Sequence, residues 1–291
     1  MNEHAASIAA ISPVRDEAEN LPRLARCLLT QTVRPVKWLI VDNGSGDGTP
    51  ALARALAAKH RWIEPISIPG EADPVRGRPI VRALHAGIEA LGSLPDVLIS
   101  IDADVSFEPD YLERLLAAFN SDDALGIASG SGYELGPDGW RQRHLTGSTV
   151  WGATRAYRRA CLLDVLPFEE RLGWDGIDEF KANARGWRTG TLVDLPFHHH
   201  RPEGGRDGAW RMRWDQGRTA HYVGYRLPYL VLRAMHNARR HPSAVALVCG
   251  YLTAAASRAE RMDDEAARTY VRRQQRLRSL PLRAREAAGR R

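Results

Sequence analysis

The sequence predicts an α/β fold: a Rossmann-like, mostly parallel sheet flanked by helices and followed by a helical C-terminal extension. Two observations carry the first part. Short apolar β-like runs alternate with helix-length stretches over residues 8–119, the pattern of strands joined by crossover helices. Acidic signatures also stand directly after three of those runs, at Val14-Arg15-Asp16-Glu17, Val41-Asp42-Asn43-Gly44 and Ile101-Asp102-Ala103-Asp104. In an open parallel sheet these gather along the carboxyl edge, where such folds bind ligands. The third observation is that aromatic, Arg and Leu residues interleave in helix-like runs from Trp210 onward.

In chain order, residues 8–14 read as a buried strand and residues 21–30 as a helix with Asn20 as its N-cap. Residues 37–41 form a second strand ending at Asp42, and a Gly-rich turn leads to a helix over 49–59, with Thr49 capping and Pro50 in its first turn. Residues 62–68 read as a strand, 80–91 as a helix, 97–101 as a strongly apolar strand, and 109–119 as a helix opened by Pro109. Beyond this the pattern mixes: a strand at 125–129, a Gly-rich loop to Gly139, helices over 155–164 and 178–185, and a strand at 191–195. A catalytic unit over residues 1–205 and a helical extension over 206–291 are the expected divisions.

Composition excludes several classes. With 44% hydrophobic and 26% charged residues the chain has the make-up of a globular protein. Its net charge of +6 is concentrated at the end, where residues 258–291 hold 11 Arg against 5 acidic residues. Such a tail suits an anionic lipid surface, a nucleic acid or solubility alone, and without a recognition module nucleic acid is not an expected partner. Cys27, Cys161 and Cys249 lack metal-site or disulfide spacing. No apolar run reaches the roughly 20 residues needed to span a bilayer, and no secretory leader is apparent. A cytoplasmic protein is the expectation, with peripheral contact at the inner membrane face through the basic tail.

Asp102 and Asp104 stand two apart after a buried strand, so both carboxylates can turn to one side and, with a diphosphate, ligate Mg²⁺ or Mn²⁺. Together with Ser12-Pro13-Val14-Arg15-Asp16-Glu17, Val41-Asp42-Asn43-Gly44-Ser45-Gly46-Asp47-Gly48-Thr49 and Trp174-Asp175-Gly176-Ile177-Asp178-Glu179, this pair makes an ordered series. The chain resembles family 2 glycosyltransferases of the GT-A fold over residues 8–201.

The resemblance implies an inverting transfer of a sugar from a nucleoside diphosphate sugar to an acceptor hydroxyl. It assigns Asp42 to the base of the nucleotide, Asp16 with Glu17 to base or ribose, Asp104 to direct metal ligation, and Asp102 to ribose, metal or metal-bound water. It makes Asp178 the general base, with Glu179 beside it as the alternative. Trp174 with Asp175, just before that base, reads either as an acceptor-binding platform, since an aromatic face packs on sugar C–H groups, or as core. A late His completes the metal shell in many such enzymes, which points to His200, with His198 in reserve. Arg76, Arg78 and Arg82 are either phosphate contacts or a solvated face. The Gly-rich segment 201–208 reads as a closing loop. The C-terminal helices resemble, more loosely, extensions of bacterial polysaccharide-building members, so a glycan or lipid-linked acceptor is expected.

Two other functions fit the same sheet. A nucleotidyltransferase needs a Gly-rich phosphate loop after the first strand, where this chain has Ser12-Pro13-Val14-Arg15. A catalytically silent binding protein would lack the acidic residues that are all present here.

Overall fold

The computed structural model describes residues 6–71, 75–136, 138–143, 150–201, 208–238 and 242–276. Its first half runs β1 (Ile8–Val14), α1 (Leu21–Leu29), β2 (Lys37–Asn43), α2 (Thr49–Lys59), β3 (Ile63–Ile68), α3 (Arg78–Leu91), β4 (Val97–Ile101), β5 (Val105–Phe107) and α4 (Tyr111–Ser121). There follow β6 (Leu125–Gly136), β7 (Gly139–Gln142), β8 (Thr154–Arg158), α5 (Arg159–Val165), α6 (Trp174–Ala184) and β9 (Arg188–His199). Four helices close the chain: α7 (Ala209–Tyr222), α8 (Leu227–Ala238), α9 (Ala244–Ala256) and α10 (Glu265–Gln274).

The strands form one sheet in the order β3-β2-β1-β4-β8-β6-β9-β5, with β7 hairpinned onto β6. The first four in sequence that carry crossover helices, β1 to β4, pair in parallel. Beyond β4 the sheet is mixed, because β8 runs antiparallel to both β4 and β6, whereas β6 and β9 are parallel. Alternate side chains of β1 serve two cores. Ile8 and Ala10 join Leu24 and Phe119 on one face, and Ala9 and Ile11 join Leu84 and Leu162 on the other. Burial on both faces is why these strands are apolar throughout.

Several local expectations are corrected. Residues 155–158 are strand rather than helix: Thr154, Arg155, Ala156 and Tyr157 are buried against β4, and this pairing overrides the helix-like reading. The Gly-rich stretch to Gly139 is mostly strand, continuing β6 to Gly136. Asn20 makes no side-chain cap and instead donates Nδ2 to Glu17 Oε2 at 2.7 Å. Gly48 rather than Thr49 is the cap of α2. Helix α6 starts at Trp174, so Asp175 lies in its first turn. Strand β9 is long and irregular: Gly130 faces Leu192 but Ser131 faces Pro196, so residues 193–195 form an excursion before pairing resumes through His199.

The extension packs α7 across α9 at two glycines. A Cβ on Gly217 would stand 2.1 Å from Leu247 O, and one on Gly250 would stand 2.1 Å from Trp214 O, so the backbones touch directly. Helix α10 lies against α6, with Ile177, Tyr222, Val223 and Met262 in their shared core. No helix among the described residues is long and apolar enough to cross a membrane.

Candidate active site

The loops after β1 and β2 are stapled to each other. Asp16, at φ 57°, accepts from Gly46 N at 2.7 Å and donates its own N–H to Ser45 Oγ at 2.9 Å. Glu17 N donates to Thr49 Oγ1 at 2.8 Å, and Ala18 N to Asp47 Oδ2 at 3.0 Å. Asp42 accepts from both the N–H and the hydroxyl of Ser45, at 3.2 and 2.5 Å. Asp16 and Asp42 therefore shape the turn that the resemblance assigns to the nucleotide. Asn43, the neighbour of Asp42, lines the adjoining cleft of ≈ 500 Å³, with Arg15, Glu17, Asp102, Asp104 and Arg201.

At the end of β4, Asp102, Asp104 and His199 bring one potential ligand atom each to within 4.8 Å of one another. His199 Nε2 is 3.4 Å from Asp104 Oδ1, and its Nδ1 faces Glu134 Oε1 at 3.6 Å without a hydrogen bond. Trp151 closes edge-on over the His199 ring at 5.3 Å. Two carboxylate oxygens and one imidazole nitrogen fit a divalent cation, and a carboxylate behind a ligating His is the usual orienting partner. Burial and the Asp104 charge push the Asp102 carboxyl up to about 7. Burial also opposes ionisation of Asp104, but His199 and Arg201 outweigh it and its pKa is lowered. His199 is raised, because its hydrogen bond and charge interaction with Asp104 outweigh burial.

His200 is not part of this group. Its Nε2 meets Ser106 Oγ at 2.7 Å, and both it and His198 pack on Trp140. Side chains alternate along a strand, so His198 and His200 share one face and His199 has the other. The expectation fell on His200, whereas the geometry brings His199 to Asp102 and Asp104. Arg201 was also missed as a site residue. It donates Nη2 to Glu17 Oε1 and Oε2 at 2.9 and 2.8 Å, and its Nε lies 3.5 Å from Asp104 Oδ2.

A second cleft of ≈ 710 Å³ shares Asp102, Pro79 and Ile80 with the first and is lined also by Arg76, Trp151, Trp174, Asp175, His199 and Arg211. Asp175 thus reaches open space shared with Asp102. Asp178 does not. It is 2% exposed and bound by Arg155 Nη2 at 2.5 Å, Arg155 Nε at 3.1 Å and the Tyr157 hydroxyl. Glu179 accepts from Arg155 Nη1 and from Val150 N, both at 3.1 Å. Burial raises Asp178 to about 6 and Glu179 to about 7, with Arg155 pulling the other way. Arg155 also donates Nη2 to Asp175 O at 2.6 Å and Nη1 to Val150 O at 2.8 Å. The cluster fixes the backbone on both sides of the cleft.

Among the three candidate phosphate arginines, Arg82 pairs with Glu71, and Arg78 is 3.5 Å from Glu170 and 3.9 Å from Glu71. Arg76 alone of the three lines the second cleft. The proposed closing loop falls largely on residues 202–207, and most of the basic tail on residues 277–291, which lie outside the described residues.

Residues 9–174 match the family described as Glycosyl transferase family 2. The chain belongs to this family. It is 34% identical over 199 residues to polyprenol monophosphomannose synthase of Mycolicibacterium smegmatis, covering 64% of this chain and 63% of that relative, so it spans less than two thirds of the relative's length. In fold it is similar to mannosyltransferase PcManGT from Pyrobaculum calidifontis, solved with GDP-Man and Mn²⁺. The TM-score is 0.59 at 16% identity, covering 99% of this chain and 86% of that one. It is also similar to S. aureus TarS, solved with UDP-GlcNAc, with a TM-score of 0.55 at 17% identity over 74% of this chain and 65% of that one. The GT-A α/β architecture expected of the family is the one observed.

Proposed function

We propose that this member of the family is a metal-dependent inverting glycosyltransferase that moves a sugar from a nucleoside diphosphate sugar to an acceptor hydroxyl. The observation that carries the reading is that Asp102 borders two clefts at once, one beside Asp104 and Arg201 and the other beside Asp175 and Trp174. The first suits the donor and the second the acceptor, and relatives solved with GDP-Man or UDP-GlcNAc support a nucleotide-sugar donor. A glycan or lipid-linked acceptor, in assembly of a surface polysaccharide or glycolipid, fits the polyprenol-directed name of the mycobacterial relative.

Asp102, Asp104 and His199 would hold the cation, and the imidazole favours Mn²⁺ over Mg²⁺. When bound, the metal supplies charge stabilisation to the departing diphosphate. Arg201 adds a cation on the same side, and Asn43, Glu17 and the stapled loop of Asp16 and Asp42 bound the nucleotide end. Across Asp102, the Asp175 carboxylate takes the proton from the acceptor hydroxyl as that oxygen attacks the anomeric carbon from the face opposite the leaving group. Asp175 replaces Asp178 and Glu179 in this role because theirs are the carboxylates engaged by buried Arg155. Trp174, only 7% exposed, contributes the floor of the acceptor cleft rather than an open platform.

Calorimetric titration of UDP-, GDP- and dTDP-sugars with and without Mn²⁺ tests the reading. One nucleotide class is expected to bind only with Mn²⁺ and to lose binding in Asp104→Ala. Metal-independent binding, or none by folded protein, overturns it.

A further inference from the structure

From Gln216 to Ala259 the chain contains no Asp or Glu and six arginines. This acid-free stretch includes all of α8 and α9. On α8, Pro228, Leu232 and Met235 follow the i, i+4, i+7 spacing that puts side chains on one helix face; Pro228 is exposed, and Leu232 and Met235 are 48% and 63% exposed. Helix α9 has no charged residue, and its exposed Val245, Cys249, Leu252 and Ala256 follow the same spacing.

The α8 face borders a groove of ≈ 800 Å³ lined by Leu232, Tyr229 and Tyr251 together with Arg226, Arg272 and Arg276. Among the described residues no carboxylate lines it. Arg226 Nε and Arg272 Nε each donate to a backbone carbonyl at 3.2 Å, which orients the two guanidinium groups toward the same junction of α8 and α10. Asp264, the cap of α10, is engaged elsewhere, paired to Arg185 at 2.8 Å.

We infer that α8 and the adjoining groove form a docking site for an anionic bilayer lipid, with the phosphate on Arg226, Arg272 and Arg276 and the acyl region against Leu232, Met235 and the tyrosines. Apolar side chains ringed by cations, with no acid to repel the headgroup, are what an interfacial helix presents to an anionic surface. The contact is peripheral, since the described helices are too short or too polar to span. It lies outside the two clefts of the transferase site and does not depend on that reading.

The test is flotation of the full chain with phosphatidylcholine vesicles, with and without phosphatidylglycerol. Binding is expected only with phosphatidylglycerol, weakening as salt rises. Leu232→Glu with Met235→Glu, both at exposed positions, is expected to lower the bound fraction about tenfold or more, as is Arg226→Glu with Arg272→Glu. Thermal midpoints of each variant confirm folding, and Mn²⁺-dependent nucleotide binding in the same samples reports on the transferase site separately. Equal binding to both vesicle types, no binding to either, or undiminished binding by the folded Leu232→Glu, Met235→Glu protein overturns the inference. The last result would move the contact to residues beyond 276.

Discussion

The molecule contains two acidic clusters that read alike in sequence and differ in what surrounds them. Asp102 and Asp104 stand on the carboxyl edge of the sheet with His199, beside open clefts, and their repulsion is incompletely compensated. Asp178 and Glu179 lie a few residues into α6 and are enclosed around one guanidinium, Arg155, that is fully buried. The first arrangement has ligating capacity left over, and the second uses its capacity internally. A short acidic motif becomes a reactive site or a structural joint according to whether a buried cation is already present.

The sharpest way to break this contrast is to exchange the carboxylates' roles. Asp175→Asn is expected to lower kcat by about 10²–10⁴-fold with nucleotide binding retained, whereas Asp178→Asn should lower thermal stability. Steady-state kinetics with melting curves on both variants decides, and a kcat loss confined to Asp178→Asn would restore the sequence expectation. Next, Arg155→Met leaves two buried carboxylates without their cation and is expected to cost about 3–5 kcal/mol, read by urea unfolding. A change below about 1 kcal/mol would show that the cluster is not the joint described.

Within the open cluster, Glu134→Gln is expected to weaken Mn²⁺ binding by about 10–100-fold through loss of the carboxylate charge behind His199, measured by electron paramagnetic resonance without any turnover. The smallest effect concerns pH. Glu179 is raised from 4.5 to about 7 in the folded state, so its contribution to stability is full below the unfolded value and is lost as pH rises through about 7. Glu179→Gln should therefore reduce the fall in melting temperature between pH 5 and pH 8 by about a few degrees. An unchanged difference would mean that Glu179 is ionised throughout.

Much of the fold was legible because β1, β2 and β4 are buried on both faces and end at acidic loops, a pattern that depends only on local sequence. The same locality explains the misreadings. Nothing within residues 155–158 announces that Arg155 will be buried as strand, since the carboxylates it pairs with are 23 and 24 residues away. Motif position likewise says nothing about which carboxylate a distant arginine encloses, and here that carboxylate is Asp178. Arg201 was visible in the run after Pro196, but its contacts with Glu17 and Asp104 close distances of 184 and 97 positions along the chain. The mixed half of the sheet, where β8 and β5 run against their neighbours, depends on pairings of similarly long range.

The excursion at residues 193–195 gives β9 a reading frame. Three consecutive histidines are chemically identical, and only the parity of the chain before them decides which one meets Asp102 and Asp104. Removing a single residue from the excursion while the pairing before it holds would turn His199 outward and present a neighbour in its stead. Because that neighbour is also a histidine, an imidazole would still face the two aspartates, so the run of three makes the site tolerant of a one-residue change in this irregular segment that a lone histidine would not survive.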